Sequence, residues 1–285
     1  MGEKWEGKLE NNQTMKQDLV SIIVTTKNEE VNIGNCLESI KKQTYKKIEL
    51  LVIDNNSTDK TKEIAKKYTK FVFDKGPERS KQRNFGVNKA KGKYVLILDA
   101  DMILTTSVVE ECVKEIEKKK VGGVIIPEKS FGEGFWAKCK SLERSFYIGN
   151  DTIEAARFFS RKIFISSGGF DEILTGPEDW DLSQRIKEKF GIGRVNSKIM
   201  HNEGNLSLLR TISKKYYYSQ RFKEYMHKSE HKKYTGKQFN LIGRYMIFFS
   251  QPIKLFKNPL LGVGMLFMKT CEFVGGGIGY IVSKK

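Results

Sequence analysis

Two pairs of carboxylates in this chain are spaced for chemistry. Asp99 and Asp101 flank Ala100 immediately after the apolar run Tyr94-Val95-Leu96-Ile97-Leu98. Carboxylates one residue apart at a strand end can share a hard divalent cation, Mn²⁺ or Mg²⁺, which takes oxygen ligands together with substrate phosphates. Glu178 and Asp179 follow Pro177 at the start of a helical pattern, where one of them could take the proton of an acceptor hydroxyl. Each pair has a plainer account as well. Asp99 could cap a turn, and acids in a first helical turn are favoured by the helix dipole alone. Asp181 should face elsewhere, because helical residues one or two apart do not share a face.

Further candidates lie nearby in the pattern. Asp54 ends the run Ile48–Ile53 and could hold a turn or contact a base or ribose, whereas Asp59, inside the helix-start sequence Asn55-Asn56-Ser57-Thr58-Asp59, reads as structural. Lys75, Gly76, Arg79, Arg83 and Asn84 approach and enter a basic helix, whose start could neutralise a diphosphate or could be a solvated face. His201 stands alone and could be a satisfied structural residue or a site member. His227 and His231 are spaced i, i+4 with no third ligand nearby and read as surface residues.

The elements that must position these side chains alternate. Leu19–Thr26 and Ile48–Ile53 are short β-branched runs of the kind that form parallel strands buried on both faces. Helical patterns follow from Asn28 through Ile40 and after Asp59. A short strand near Phe71–Phe73, a helix over 80–89, the strand 94–98, a helix over 105–118 and a strand over 121–126 continue the series. Apolar residues at helical spacing predict a helix between Phe131 and Tyr147, Ser166–Asp171 a turn, Pro177 a helix start, and Lys198–Met200 an edge strand. The alternation predicts βαβ units in an α/β sheet, and Asp54 and Asp99 fall at carboxyl ends of strands, where such sheets bind ligands.

With 285 residues the chain can bury one large core and an appendage. Cys36, Cys112, Cys139 and Cys271 are scattered without metal or redox spacing, and Met1–Asp18 is polar with no apolar leader. A reducing, cytosolic setting is therefore expected. The net charge of +17 is uneven: residues 206–285 carry fifteen Lys and Arg against three Glu. In that stretch Tyr216, Tyr217, Tyr218, Phe222, Phe248 and Phe249 interleave with basic residues, which suits a membrane interface, single-stranded nucleic acid, or helices packed on the core. Pro259–Val282 is long and apolar but interrupted by Lys269 and Glu272, so a peripheral segment is expected over a span. The expected division is a polar segment 1–18, a catalytic domain 19–205 and a basic, aromatic, helical extension 206–285.

Taken in order, SIIVTTKNEE, LVIDNNSTDKT, SKQRNFGVNKAKGKYVLILDADM, SSGGFDE and GPEDWDLSQRI resemble glycosyltransferase family 2, over about Leu19 to His201. The resemblance implies a GT-A (Rossmann-like) fold with a mixed, mostly parallel sheet flanked by helices. It further implies an inverting transfer from a nucleoside-diphosphate sugar, UDP-linked in preference to GDP-linked, to a glycan or lipid-linked acceptor, with Mn²⁺ or Mg²⁺ as cofactor. By the same likeness Thr25, Lys27 and Glu29 form the nucleotide turn and Asp54 meets the base; Arg79 and Arg83, at the basic helix start, are expected to serve the donor. Asp99 and Asp101 hold metal and diphosphate, and His201 completes the nucleotide or metal site. Asp179 is the base with Glu178 its acidic neighbour, while Gly168, Gly169 and Trp180 lie on the acceptor side. Thr25 stands where the family often has Pro, and Asn55 where it often has a second acid.

Two other classes share parts of this pattern. A nucleotidyltransferase would share sheet, metal and nucleotide but calls for a Gly-rich basic loop where Thr25-Thr26-Lys27-Asn28-Glu29-Glu30 stands. A nucleic-acid-binding protein would account for the charge and leave the acidic strand ends unexplained, so nucleic acid is not the expected partner.

Overall fold

The computed structural model describes residues 17–227 and 240–283; His231 lies outside them. Strand β1 (Val20–Thr26) is buried along its whole length, as its β-branched composition requires. It is followed by α1 (Ile33–Lys41), β2 (Ile48–Asp54), α2 (Thr61–Lys66), β3 (Val72–Asp74), α3 (Arg79–Lys89), β4 (Tyr94–Asp99) and β5 (Met102–Leu104). Next come α4 (Val108–Lys119), β6 (Gly123–Ile125), β7 (Glu128–Glu133), α5 (Gly134–Ser145), β8 (Ala156–Ser160) and α6 (Arg161–Ser166). Helix α7 (Glu178–Phe190), β9 (Ile192–Arg194) and β10 (Ile199–Asn205) complete the α/β part. Then α8 (Leu208–Ser219), α9 (Phe222–His227), α10 (Leu241–Phe249), α11 (Pro252–Phe256) and α12 (Pro259–Val282) follow.

The main sheet runs β3-β2-β1-β4-β8-β6-β9, with β8 antiparallel to both neighbours and the other pairings parallel. Strand order reverses between β1 and β4, and the crevice at the carboxyl ends there is the usual ligand position in an open α/β sheet. Pairing sets Thr25 beside Asp99 and Thr26 beside Asp54. A second sheet, β5-β10-β7, stands against this end, with β10 antiparallel to β5 and parallel to β7.

Alternating side chains of β1 feed two cores. Ile22 and Val24 join α1 and α4, while Ile23 joins α3 and α7 on the other face. Helix α4 shows why such elements form: Val108, Val109, Cys112, Val113 and Ile116 share one buried face, Glu110 and Glu111 lie in its first turn, and Lys118 and Lys119 in its last. Helix α3 approaches β1 closely because residue 86 is glycine; a Cβ there would stand 2.5 Å from Ile23 Cγ2.

Three expectations are corrected. Residues 28–32 form a turn, with Asn28 at φ 53°, so the helix expected from Asn28 starts at Ile33. Phe131 belongs to β7, because residues 128–133 pair with β10, and the helix begins only at Gly134. The stretch expected as an edge strand is β10, the middle strand of the small sheet, and it extends to Asn205. The strands β5, β8 and β9 were not read in the sequence at all. Beyond β10, α8 and α12 pack on each other and α12 on α5, around Cys139, Phe146, Phe248, Leu255, Met265 and Met268.

Candidate active site

The first turn after β1 is knitted to the turn after β2. Asp54 is fully buried, and its carboxylate accepts from Ser57 N (2.7 Å) and Ser57 Oγ (2.6 Å). Ser57 Oγ in turn accepts from Asn28 N at 2.7 Å, and Glu29 N donates to Thr61 Oγ1 at 2.8 Å. Asp54 therefore shapes the 27–30 turn from beneath. Asp59 holds Thr61 N and its hydroxyl, the structural part expected of it. Lys27 is exposed at the turn. Burial, with Asp101 and Asp99 adding to it, raises the Glu29 carboxyl above its ordinary value.

A buried guanidinium organises the centre. Arg83 on α3 has no exposed surface; Nη2 donates to Asp99 Oδ1 (2.9 Å) and Oδ2 (3.2 Å), and Nη1 donates to Asp179 Oδ1 (2.8 Å) and lies 3.5 Å from Glu178 Oε1. Thr25 Oγ1 donates to the same Asp99 Oδ1 at 2.9 Å. Burial alone would push the Asp99 carboxyl up, but Arg83, Arg157 and Arg79 more than offset it and hold the group well below the usual carboxylate range. Arg83 thus faces carboxylates, and Arg79 is the arginine with an exposed side chain at this end of α3, 37% accessible, with Nη2 3.3 Å from Glu178 Oε1.

The small sheet delivers the other half. Asp101 follows β4 directly, Asn202 N donates to its carbonyl at 2.9 Å, and His201 Nε2 stands 3.2 Å from Asp101 Oδ2. His201 Nδ1 faces Glu128 Oε2 at 3.2 Å. Burial opposes the charged imidazole, yet Asp101 and Glu128 raise its pKa to about 9. Glu128 itself is gripped by Arg157 Nε (2.6 Å) and by Arg144. Among the described residues no group of three or more His, Cys, Asp or Glu forms a metal cage. Asp101 offers an oxygen position and His201, on giving up its proton, a nitrogen position, which diphosphate and water could complete around a cation. Among the described residues, the buried Asp101 Oδ1, Arg83 Nε and Arg157 Nη1 have no hydrogen-bond partner. Leaving such atoms unsatisfied costs about 1–3 kcal/mol each, so an oxygen-rich ligand with a cation fits here.

On the opposite side, Pro177 leads into α7. Glu178 is 2% exposed, accepts from Gly176 N and carries a pKa raised by burial and then by Asp179. Asp179 is a quarter exposed and, among the described residues, bonded to Arg83, which makes it the accessible carboxylate of the pair. Asp181 pairs with Arg185, whose guanidinium holds the carbonyls of Ser167 and Gly169. Gly168 and Gly169 turn at φ +83° and +65°, and Asn84 secures the turn through Phe170 N and O. Trp180 donates from Nε1 to Ile153 O at 2.7 Å. Trp180, Asp54 and Lys27 make none of the contacts of the arginine–carboxylate network. Sequence reasoning missed Arg157, Glu128 and Arg144. The available signal for Arg157 was a charged residue inside the apolar run Ala156–Phe159, which is buried only with partners.

The sequence pattern of Glycosyl transferase family 2 matches residues 21–170. An uncharacterized glycosyltransferase of Methanocaldococcus jannaschii, MJ1057, is 30% identical over 59% of this chain and 64% of its own length. The beta-monoglucosyldiacylglycerol synthase of Nostoc is 28% identical over 59% of this chain and 41% of its own. The matched part is thus under two thirds of either relative. Among solved structures, the mannosyltransferase PcManGT of Pyrobaculum calidifontis, in complex with GDP-Man and Mn²⁺, superposes with a TM-score of 0.68 at 17% identity, over 95% of this chain and 89% of that one. S. aureus TarS in complex with UDP-GlcNAc gives 0.50 at 17% identity, over 92% and 90%. The fold is GT-A, and the chain, with Asp99 at its strand end and Glu178 and Asp179 at their helix start joined through Arg83, belongs to glycosyl transferase family 2.

Proposed function

We infer that this enzyme transfers a sugar with inversion from a nucleoside-diphosphate donor to an acceptor hydroxyl, and that Asp179 is the base. The observation that carries this is the shared guanidinium: Arg83 binds Asp99 on the donor side and Asp179 on the acceptor side within one side chain's width. The acceptor oxygen attacks the anomeric carbon, the bond from that carbon to the diphosphate oxygen breaks, and the hydroxyl proton passes to Asp179. Arg83 aims the Asp179 carboxylate, and Glu178 anchors Arg79 beside it. Asp101 and His201 would hold Mn²⁺ or Mg²⁺, and Lys27 and Glu29 line the turn for the nucleotide. A bound cation would offset charge developing on the departing diphosphate.

UDP-sugars are the favoured donors and GDP-sugars the alternative; the relatives in complex with UDP-GlcNAc and GDP-Man support the class of donor. A lipid-linked or envelope-glycan acceptor, met at the cytosolic membrane face through residues 206–285, is supported by the basic, aromatic tail and by the diacylglycerol product in the Nostoc relative's name. Screening nucleotide sugars for cation-dependent turnover identifies the donor. With that donor, Asp179→Asn should lower transfer at least about a thousandfold while calorimetry shows donor binding unchanged; full transfer by Asp179→Asn would remove the base assignment. Proton spectra of the product report inversion.

A further inference from the structure

The last three helices are amphipathic the wrong way round for a protein surrounded by water. On α12 the inward positions hold Lys269 (6% exposed) and Glu272 (2%) together with Met265, Met268 and small glycines. Its outward positions, Leu260, Val263, Phe267, Val274, Ile278 and Ile281, recur three, four or seven residues apart and are 51–78% exposed. Helix α10 repeats the inversion. Arg244 is buried with its guanidinium over the Tyr147 ring at 5.0 Å, while Leu241, Ile242, Met246 and Phe249 face outward. On α11, Ile253 is 89% exposed and Phe256 49%.

The buried charges are fully answered inside the protein. Lys269 Nζ lies 2.7 Å from Glu143 Oε1 and 2.8 Å from Glu272 Oε2, and Lys140 Nζ lies 2.7 Å from Glu143 Oε2 and 2.9 Å from Glu272 Oε1. Two cations and two anions close a ring between α5 and α12. With 24 residues α12 is long and apolar enough to cross a bilayer, but crossing would tear this ring open and carry Lys269 and Glu272 into hydrocarbon, at a cost of several kcal/mol. Lying flat leaves the ring intact and puts the whole outward stripe into lipid.

We propose that α10, α11 and α12 form an in-plane membrane-docking face that inserts its outward apolar side chains into one leaflet of anionic phospholipid. The occupant is chosen by charge as well as by apolarity. From Leu241 to Val282 the one acidic residue is Glu272, sealed in the ring, whereas Lys257 is exposed between Phe256 and Leu260, and residues 206–285 carry fifteen Lys and Arg against three Glu. Cations beside an apolar face favour an anionic headgroup layer. The proposal deepens the membrane contact inferred above by fixing its geometry and its residues.

The test is flotation of the full chain with vesicles of phosphatidylglycerol and phosphatidylcholine, compared with phosphatidylcholine alone. The chain should float with the anionic vesicles and be released by alkaline carbonate. The variant Ile242→Asp/Ile253→Asp/Ile281→Asp should lose at least about a hundredfold in partitioning, with donor hydrolysis kept as the check on folding. Lys257→Glu, a single exposed change, should weaken binding to anionic vesicles by about fivefold or more and guards against misfolding of the triple variant. Failure of the unaltered chain to float overturns both this face and the broader membrane reading. Flotation unchanged in a folded triple variant overturns the face alone. Resistance to carbonate means a span and overturns the in-plane geometry. A dimer in light scattering that the triple variant converts to monomer, without lipid binding, assigns the face to a second copy instead.

Discussion

Arg83 is the residue on which both halves of the chemistry rest. Removing it leaves Asp99, Glu178 and Asp179 without their common cation in a buried setting, and breaking such a pair costs about 3–5 kcal/mol. Arg83→Met should therefore lower stability at neutral pH by about that amount in urea titrations. The Asp99 carboxyl lies well below its usual range in the folded protein. Its contribution is present above the unfolded value near ~4 and drains away as pH falls through the folded one. The gap between unaltered protein and Arg83→Met should shrink in acid; a gap that widens there would refute the assignment. Glu128 offers a second residue-scale test. It faces the far nitrogen of His201, the position from which a carboxylate orients a metal-binding imidazole. Glu128→Gln should weaken Mn²⁺ binding, measured by calorimetry with nucleoside diphosphate present, by about 10–100-fold. Asp99, Asp101 and Asp179 were legible because acids at strand ends and helix starts stand out against apolar runs. Glu128 and Arg157 were not, since their partners are 16 to 73 residues away and pairing cannot be read from spacing.

Elements buried on both faces were the legible ones. β1, β2 and β4 read as strands because each carries an unbroken apolar run, Ile22–Val24, Leu50–Ile53 and Val95–Leu98, up to the ligand end. The stretch from Phe131 deceived because its apolar spacing suits a helix, while pairing of residues 128–133 with β10 decides the first part in favour of strand. That pairing matters for the site, since it brings Glu128 to His201. At this scale Gly86 is open to test. Alanine is the better helix former by about 1 kcal/mol, yet its Cβ would press on Ile23 at 2.5 Å and Ile53 at 3.2 Å, an overpacking worth about 1–3 kcal/mol. Gly86→Ala should lower the thermal midpoint by several degrees; a rise would mean that α3 can lift off the sheet freely.

Across the whole molecule, the division at residue 205 is a boundary of composition, and packing crosses it. Cys139 on α5 and Phe146 just after it share a core with residues of α10, α11 and α12, and Tyr225 on α9 donates to Gln184 on α7. A chain cut after Asn205 should be poorly soluble and lose donor hydrolysis, as sedimentation and assay will show; a soluble, active 1–205 fragment would make the extension an independent appendage. The tail's charge and aromatics were plain in the sequence. Its inversion was not, because Lys269 and Glu272 look like interruptions of an apolar helix until α5 is seen to answer them.

The ring that answers them also acts as a register key. Each helix brings its own Lys–Glu pair three residues apart, Lys140 with Glu143 and Lys269 with Glu272. Two segments more than 120 residues apart in the chain thus meet as units already neutral, and no bare ion has to enter the interface. A slip of one turn along α12 would set side chains of the wrong kind against Lys140 and Glu143. Docking of the last helix is therefore tolerant of when it happens and strict about where.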